Sequence, residues 1–121
     1  MQDYQKLLVW QKAHKLVLDI YVNTKGFPKD ELYGVTSQLC RAAVSISANI
    51  VEGDGRKTKA DFARFLTMSL GSTNEVEYFL LLSKDLIYLN SEEHESLTQQ
   101  LVEVRKMLLS LENKIRTESK L

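Results

Sequence analysis

Residues 91–116 read SEEHESLTQQLVEVRKMLLSLENKIR. The apolar positions Leu97, Leu101, Val104, Leu108, Leu111 and Ile115 follow one another in steps of 4, 3, 4, 3 and 4. A strand would alternate every second residue; this spacing instead paints one narrow stripe along a helix and suits near-parallel packing against other helices. Burying each of these side chains is worth roughly 1.5–3 kcal/mol. A lone stripe has nothing to bury against, so the segment predicts partner helices. Ser91 reads as the cap of this helix, with Glu92, Glu93 and Glu95 in its first turn, where carboxylates oppose the positive end of the helix dipole.

Working outward, helix-breaking residues are scarce: one proline and five glycines in 121 residues. Gly26-Phe27-Pro28, Gly53-Asp54-Gly55 and the cap at Asn90-Ser91 divide the chain into four segments, predicting helices over about 7–24, 29–52, 59–89 and 92–116. Helix 1 carries Trp10, Ala13, Val17, Ile20 and Tyr21 at helical spacing. Pro28 suits the first turn of helix 2, whose stripe is Leu32, Val35, Leu39, Ala42, Ala43, Ile46 and Ile50. Gly53 is placed to end helix 2 as a left-handed cap. Thr58 with Asp61 resembles a capping box for helix 3. Its stripe is Phe62, Phe65, Leu66, Ser69, Thr73, Val76, Leu80, Ser83 and Ile87.

Short connections between consecutive helices imply antiparallel neighbours, so the expected fold is all-α: one domain over 1–121, an antiparallel up-down-up-down four-helix bundle. A chain of this size buries roughly two-thirds of its unfolded surface and needs no metal or disulfide to fold.

The same residues limit the function classes. Sixteen basic residues balance sixteen acidic ones, so the whole chain has no polyanion-binding charge. The lone Cys40 cannot form an internal bridge, which suits a reducing cytoplasm. The polar start does not read as a signal peptide, and the longest apolar run, Tyr78 to Leu82, is far short of the ~20 residues of a membrane span.

His14 and His94 are isolated, with no His or Cys at i+3 or i+4, so no zinc pattern exists. No Glu stands three residues before either His, as di-iron bundles require, and no Gly-x-Ser-x-Gly or phosphate-loop motif occurs. The sequence therefore predicts no catalytic, cofactor-binding or metal-binding residue. Cys40 reads as a small buried side chain beside the core position Leu39.

Two polar features remain. Gly71-Ser72-Thr73 stands mid-helix opposite a small-residue patch (Ala42, Ala43, Ser45, Ser47, Ala48), which predicts close approach of helices 2 and 3 at Gly71. Arg41, Ser45, Asn49 and Glu52 share one side of helix 2. With Ser72 and Glu75 of helix 3 they read as a polar network fixing helix register, or as part of a partner-binding surface.

Val9-Trp10-Gln11-Lys12-Ala13, Phe27-Pro28, Tyr33-Gly34, Ser37-Gln38-Leu39, Arg41 to Ile46, Asn49-Ile50, Glu52-Gly53, Gly55-Arg56, Phe62-x-Arg64-Phe65-Leu66 and Gly71-Ser72-x-x-Glu75 follow in order. The chain thereby resembles the four helix bundle protein family, also called the 23S rRNA intervening-sequence protein family. That resemblance implies a bacterial cytoplasmic bundle and a homo-oligomer, with a ring-shaped pentamer favoured. Some members are encoded within intervening sequences of 23S rRNA genes. A related accessory protein of diversity-generating retroelements engages nucleic acid and a reverse transcriptase. The family pattern carries a basic residue at position 40 and proline at 47; here they are Cys40 and Ser47. The first change removes a charge, and the second should leave helix 2 straighter.

The expected function is a non-enzymatic oligomeric scaffold or adaptor. Lys6, Lys12, Lys15, Arg56, Lys57 and Arg64 are its candidate contacts to RNA or DNA. The alternative is a purely structural or protein-binding oligomer without a nucleic-acid role. No membrane association is expected.

Overall fold

In the computed structural model, which describes residues 3–121, α1 covers Leu8–Thr24, α2 Val35–Asp54, α3 Lys59–Asp85 and α4 Ser91–Glu118. Short 3-10 turns at Tyr4–Lys6 and Lys29–Glu31 precede α1 and α2. Each helix packs on its neighbours in chain order and α4 closes back on α1, while the diagonal pairs bring no Cα atoms within 8 Å of each other among the described residues. Cross-helix contacts run in opposite senses along each pair: Ser45 meets Ser72 while Gly53 lies against Phe62, and Lys12 meets Glu103 while Asp19 meets Gln100. The fold is a four-helix antiparallel bundle.

The α4 stripe fills the centre of the bundle. Leu97, Leu101, Val104 and Leu108 are buried with Leu16, Ile20, Leu39, Ile46, Ile50, Leu66, Val76 and Leu80 in one apolar cluster. Leu111 and Ile115 pack at its margin, where the seam runs out toward the helix end.

Several borders differ from the sequence expectation. Pro28 caps the short turn Lys29–Glu31 and does not enter α2. Gly34, at φ −108° and ψ −116°, leaves the helical region and delays the start of α2 to Val35. Leu32 consequently falls outside the core stripe and is exposed. Tyr21, also placed in a stripe, is exposed on α1.

Gly53 is not a left-handed cap: no described glycine has a positive φ, and Gly53 lies buried within the last turn of α2. Its role is steric. A Cβ there would stand 2.8 Å from both Phe62 Cδ1 and Phe65 Cβ. The close approach of α2 and α3 is therefore at Gly53. At Gly71 a Cβ would meet nothing within 4 Å, because that residue faces outward. The helical face of α3 puts Ser69 inward instead, and its hydroxyl donates to the Ile46 carbonyl at 2.7 Å.

Helix α3 ends at Asp85, four residues before the expected 89. Tyr88 N–H donates to the Ser83 carbonyl and Ile87 N–H to the Lys84 carbonyl, the paired bonds of a Schellman cap. The cap places Ile87 at φ 64°, a left-handed conformation that β-branched residues rarely adopt. Ile87 thus leaves the core stripe and is 87% exposed, while Leu89 turns in and is buried. The turn is tied to the opposite connection: Tyr88 packs on Phe27 and its hydroxyl donates to Glu31 at 2.7 Å. Asn90, and not Ser91, caps α4, forming a full capping box with Glu93.

Two substitutions follow from these backbone positions. Gly53→Ala should lower stability by about 1–3 kcal/mol, the usual range for overpacking, measured by urea unfolding. Ile87→Gly should raise it by about 1 kcal/mol through release of left-handed strain, and a lowered melting temperature for that variant would refute the strain assignment.

Candidate nucleic-acid interface

Five of the six candidate cations fall into two groups, and the sixth, Lys6, stands apart. Lys12 and Lys15, on α1, are engaged by carboxylates: Lys12 pairs with Glu103 of α4 at 3.3 Å and Lys15 with Asp19 at 2.8 Å. The Lys15 bond is the chief reason the Asp19 carboxyl sits below its ordinary pKa, and Gln100 of α4 adds a second hydrogen bond to the same oxygen. These residues fasten α1 to α4 along its length.

Arg56, Lys57 and Arg64 gather where α2 turns into α3. The turn is short because α2 ends on Asp54 and Thr58 already caps α3, its hydroxyl accepting from Asp61 N–H at 3.1 Å. Close packing at Gly53 holds Phe65 buried beneath this turn. Both guanidinium groups lie over that ring, with the carbon of Arg56 4.6 Å and that of Arg64 4.7 Å from the centroid. Such contacts are worth about 0.5–1 kcal/mol each at an exposed site, and they hold both planar forks against one ring. Arg56 also meets Glu52 at 3.3 Å and Arg64 meets Asp61 at 3.2 Å, both as exposed pairs within single helical turns. Lys57 has no carboxylate within 4 Å among the described residues. Nearby, Lys59 is bound to Glu118 at 2.7 Å, a contact that lowers the Glu118 pKa and joins the start of α3 to the end of α4. Lys6 lies in the Tyr4–Lys6 turn, which packs against both α1 and α2.

The polar residues between α2 and α3 divide differently from the single network expected. Ser72 Oγ donates to Ser45 Oγ at 2.9 Å, and the Asn49 amide donates to the Ser45 hydroxyl at 3.1 Å and its carbonyl at 2.8 Å. Glu52 turns away to Arg56. Arg41 and Glu75 border one cleft with Gln38, Ala42 and Ser45, yet no ion pair joins them among the described residues. Helix geometry explains the split: Ser45 and Ser72 face the neighbouring helix, whereas Arg41 and Glu75 sit one step around toward solvent.

The sequence reading missed the most connected side chain. Arg105 of α4 donates to the Thr73 hydroxyl and carbonyl, to Asn74 and to Glu77 of α3, at 3.2–3.4 Å. Its only sequence signal is its place beside the core position Val104. Among the described residues no group of three or more His, Cys, Asp or Glu side chains could hold a metal. His14 stacks on Trp10, with centroids 4.8 Å apart. Cys40 is buried, its sulfur 3.6 Å from the Thr24 hydroxyl. Ser47 is buried too, and its hydroxyl has no hydrogen-bond partner among the described residues.

The four antiparallel helices, with Arg56 and Arg64 on Phe65 at the α2–α3 corner, define an all-α four-helix-bundle protein. More particularly, the chain belongs to the 23S rRNA-intervening sequence protein family, whose pattern it matches over residues 5–110. It is similar to a protein of unknown function from the S23 ribosomal protein family of Bacteroides thetaiotaomicron VPI-5482, whose crystal structure was solved at 1.70 Å. The two are 28% identical, with a TM-score of 0.79 over 86% of this chain and 97% of that one. No curated protein matches the chain.

Asp54 borders the same corner. Its carboxyl is buried at the C-terminal end of α2, one oxygen lacks a partner among the described residues, and burial, then Asp3, raises its pKa above the ordinary 3.8. The folded state thus holds this proton more tightly than the unfolded chain does. Ionised Asp54 detracts from stability at neutral pH, and the penalty vanishes as pH falls below 3.8. Asp54→Asn should therefore be more stable than the parent at pH 7, because the amide carries no charge to desolvate. Melting curves of the two proteins should converge near pH 3; a gap independent of pH would exclude this cause.

Proposed function

We propose that this chain is a non-enzymatic, homo-oligomeric scaffold of the bacterial cytoplasm whose α2–α3 corner contacts nucleic-acid phosphates. The carrying observation is the pair of guanidinium groups stacked on Phe65 beside the unpaired Lys57. Stacking restrains both forks before any ligand arrives, so less side-chain freedom is lost on forming paired bonds to phosphate oxygens. The carboxylates that hold them, Glu52 and Asp61, are in exposed pairs. Such pairs are worth little in water and yield readily to a dianionic or polyanionic ligand. One neutral chain offers a weak field; several copies place several corners on one assembly and multiply it. A ring of five, as the family resemblance implies, fits this reading.

The second reading is a protein-binding oligomer without nucleic acid. The balanced charge and the exposed apolar residues Leu18, Val22 and Tyr33 favour it. Salt dependence separates the two. Binding to a structured RNA at low salt should weaken steeply as salt rises, as expected when phosphate counterions are released. Replacing Arg56, Lys57 or Arg64 with Ala should each reduce the slope of log K against log salt by about 1, while Lys12→Ala leaves it unchanged. Failure to bind RNA or DNA at low salt would reject the nucleic-acid role.

A further inference from the structure

The three connections of the bundle differ in length. Residues 55–58 link α2 to α3 and 86–90 link α3 to α4, whereas 25–34 link α1 to α2. Gly34 delays the start of α2, and the extra chain is taken up by Phe27, which is buried in the core, and by the turn Lys29–Glu31. A cleft of about 530 Å³ opens where this long connection leaves α1 and returns to α2. It lies at the opposite end of α2 from the arginine corner.

The floor of the cleft is apolar in effect. Thr24 and Cys40 line it and are only 6% and 9% exposed. Their polar atoms are already satisfied: the Thr24 hydroxyl donates to the Tyr21 carbonyl at 3.1 Å and stands 3.6 Å from the Cys40 sulfur. Tyr21 and Leu32 line the sides and are 48% and 56% exposed. A sugar or other polyhydroxylated body would leave its hydroxyls unpaired against these surfaces.

The rim carries one sign of charge. Lys25 and Lys29 border the cleft, and no acidic side chain lines it. Neither lysine has a carboxylate within 4 Å among the described residues. Glu31, two residues beyond Lys29, is engaged elsewhere: one oxygen accepts from the Tyr88 hydroxyl at 2.7 Å and the other from Val35 N–H at 3.4 Å.

We propose that this cleft binds a small amphiphile with an apolar body and one carboxylate head, of the medium-chain fatty acid class. The body covers Tyr21, Leu32 and the Cys40 floor, and the head accepts charge-assisted hydrogen bonds from Lys25 and Lys29. The volume falls within the range of small-molecule sites, about 300–1,000 Å³. The two halves of the ligand are required separately. The floor selects an apolar body, and the rim repels cations and attracts a single anion. This site depends neither on the oligomer nor on the nucleic-acid contact.

Titration of the full chain with octanoate, followed by amide NMR, tests it. Octanoate should bind saturably, with shifts centred on residues 21–40. Neutral 1-octanol should bind about tenfold more weakly, because it offers no charge to the lysines. Lys25→Gln combined with Lys29→Gln should erase that preference and leave octanol binding in place. Leu32→Asp sets an acid on the wall at an exposed position and should abolish octanoate binding without changing the helical circular dichroism. Cys40 supplies a second readout: octanoate should slow its alkylation by iodoacetamide in the parent and not in Leu32→Asp. Absence of saturable octanoate binding would overturn the proposal. Equal binding of octanoate and octanol would overturn the carboxylate head, and shifts centred elsewhere would overturn the location. Alkylation of Cys40 that accelerates on dilution would show that a second copy covers the cleft, and would overturn the small-molecule occupant.

Discussion

The contact between Gly53 and the two phenylalanines Phe62 and Phe65 sets the geometry of the α2–α3 pair. With no side chain at 53, the end of α2 settles directly onto the first turns of α3. The helices then stay close enough along their length for Ser69 to reach the Ile46 carbonyl and Ser72 to reach Ser45. These two helices make the most extensive contact of the bundle. The same packing buries Phe65 at the turn, and Phe65 in turn orients Arg56 and Arg64. A packing constraint in the core thereby becomes an arrangement of charge at the surface.

The other helix pairs are matched by polar side chains as well as by apolar stripes. Arg105 reads the exposed edge of α3 through Thr73, Asn74 and Glu77. Asp19 joins Lys15 to Gln100, and Glu118 joins α4 to Lys59. Individually such pairs add little to stability. Each nevertheless requires one register of one helix against another, whereas a Leu stripe slides by a heptad at modest cost. The polar contacts therefore act chiefly as selectors among similar apolar packings.

The helices themselves were legible because their signals are local. The heptad of α4, Thr58 with Asp61 and the scarcity of proline each act within a few residues. The errors lie where distant residues decide. Gly53 looks like a helix-ending glycine until Phe62 and Phe65 arrive from the next helix. Ile87 fits the α3 stripe in sequence, but Tyr88 and Leu89 are drawn inward by Phe27, Glu31 and the core, and the chain must turn through a left-handed residue to let them in. The candidate cations were found by charge and family pattern. Their division into a stacked corner and a helix-fastening set depended on where Glu103 and Phe65 came to lie, which no local pattern encodes.

The ties that close this bundle differ in how much chain they span. The bonds from Ser69 and Ser72 into α2 join residues 23 and 27 apart, whereas Gln100 and Asp19 are 81 apart. Tripling the length of a closed loop costs about 1 kcal/mol more in chain entropy. The α1–α4 pair is also the least extensive of the four main helix contacts. The weakest line of the molecule is therefore the seam between its first and last helices. Transient opening there would leave the α2–α3 hairpin, with its stacked arginines, intact. The bundle behaves as a book whose spine is α2–α3 and whose covers are α1 and α4.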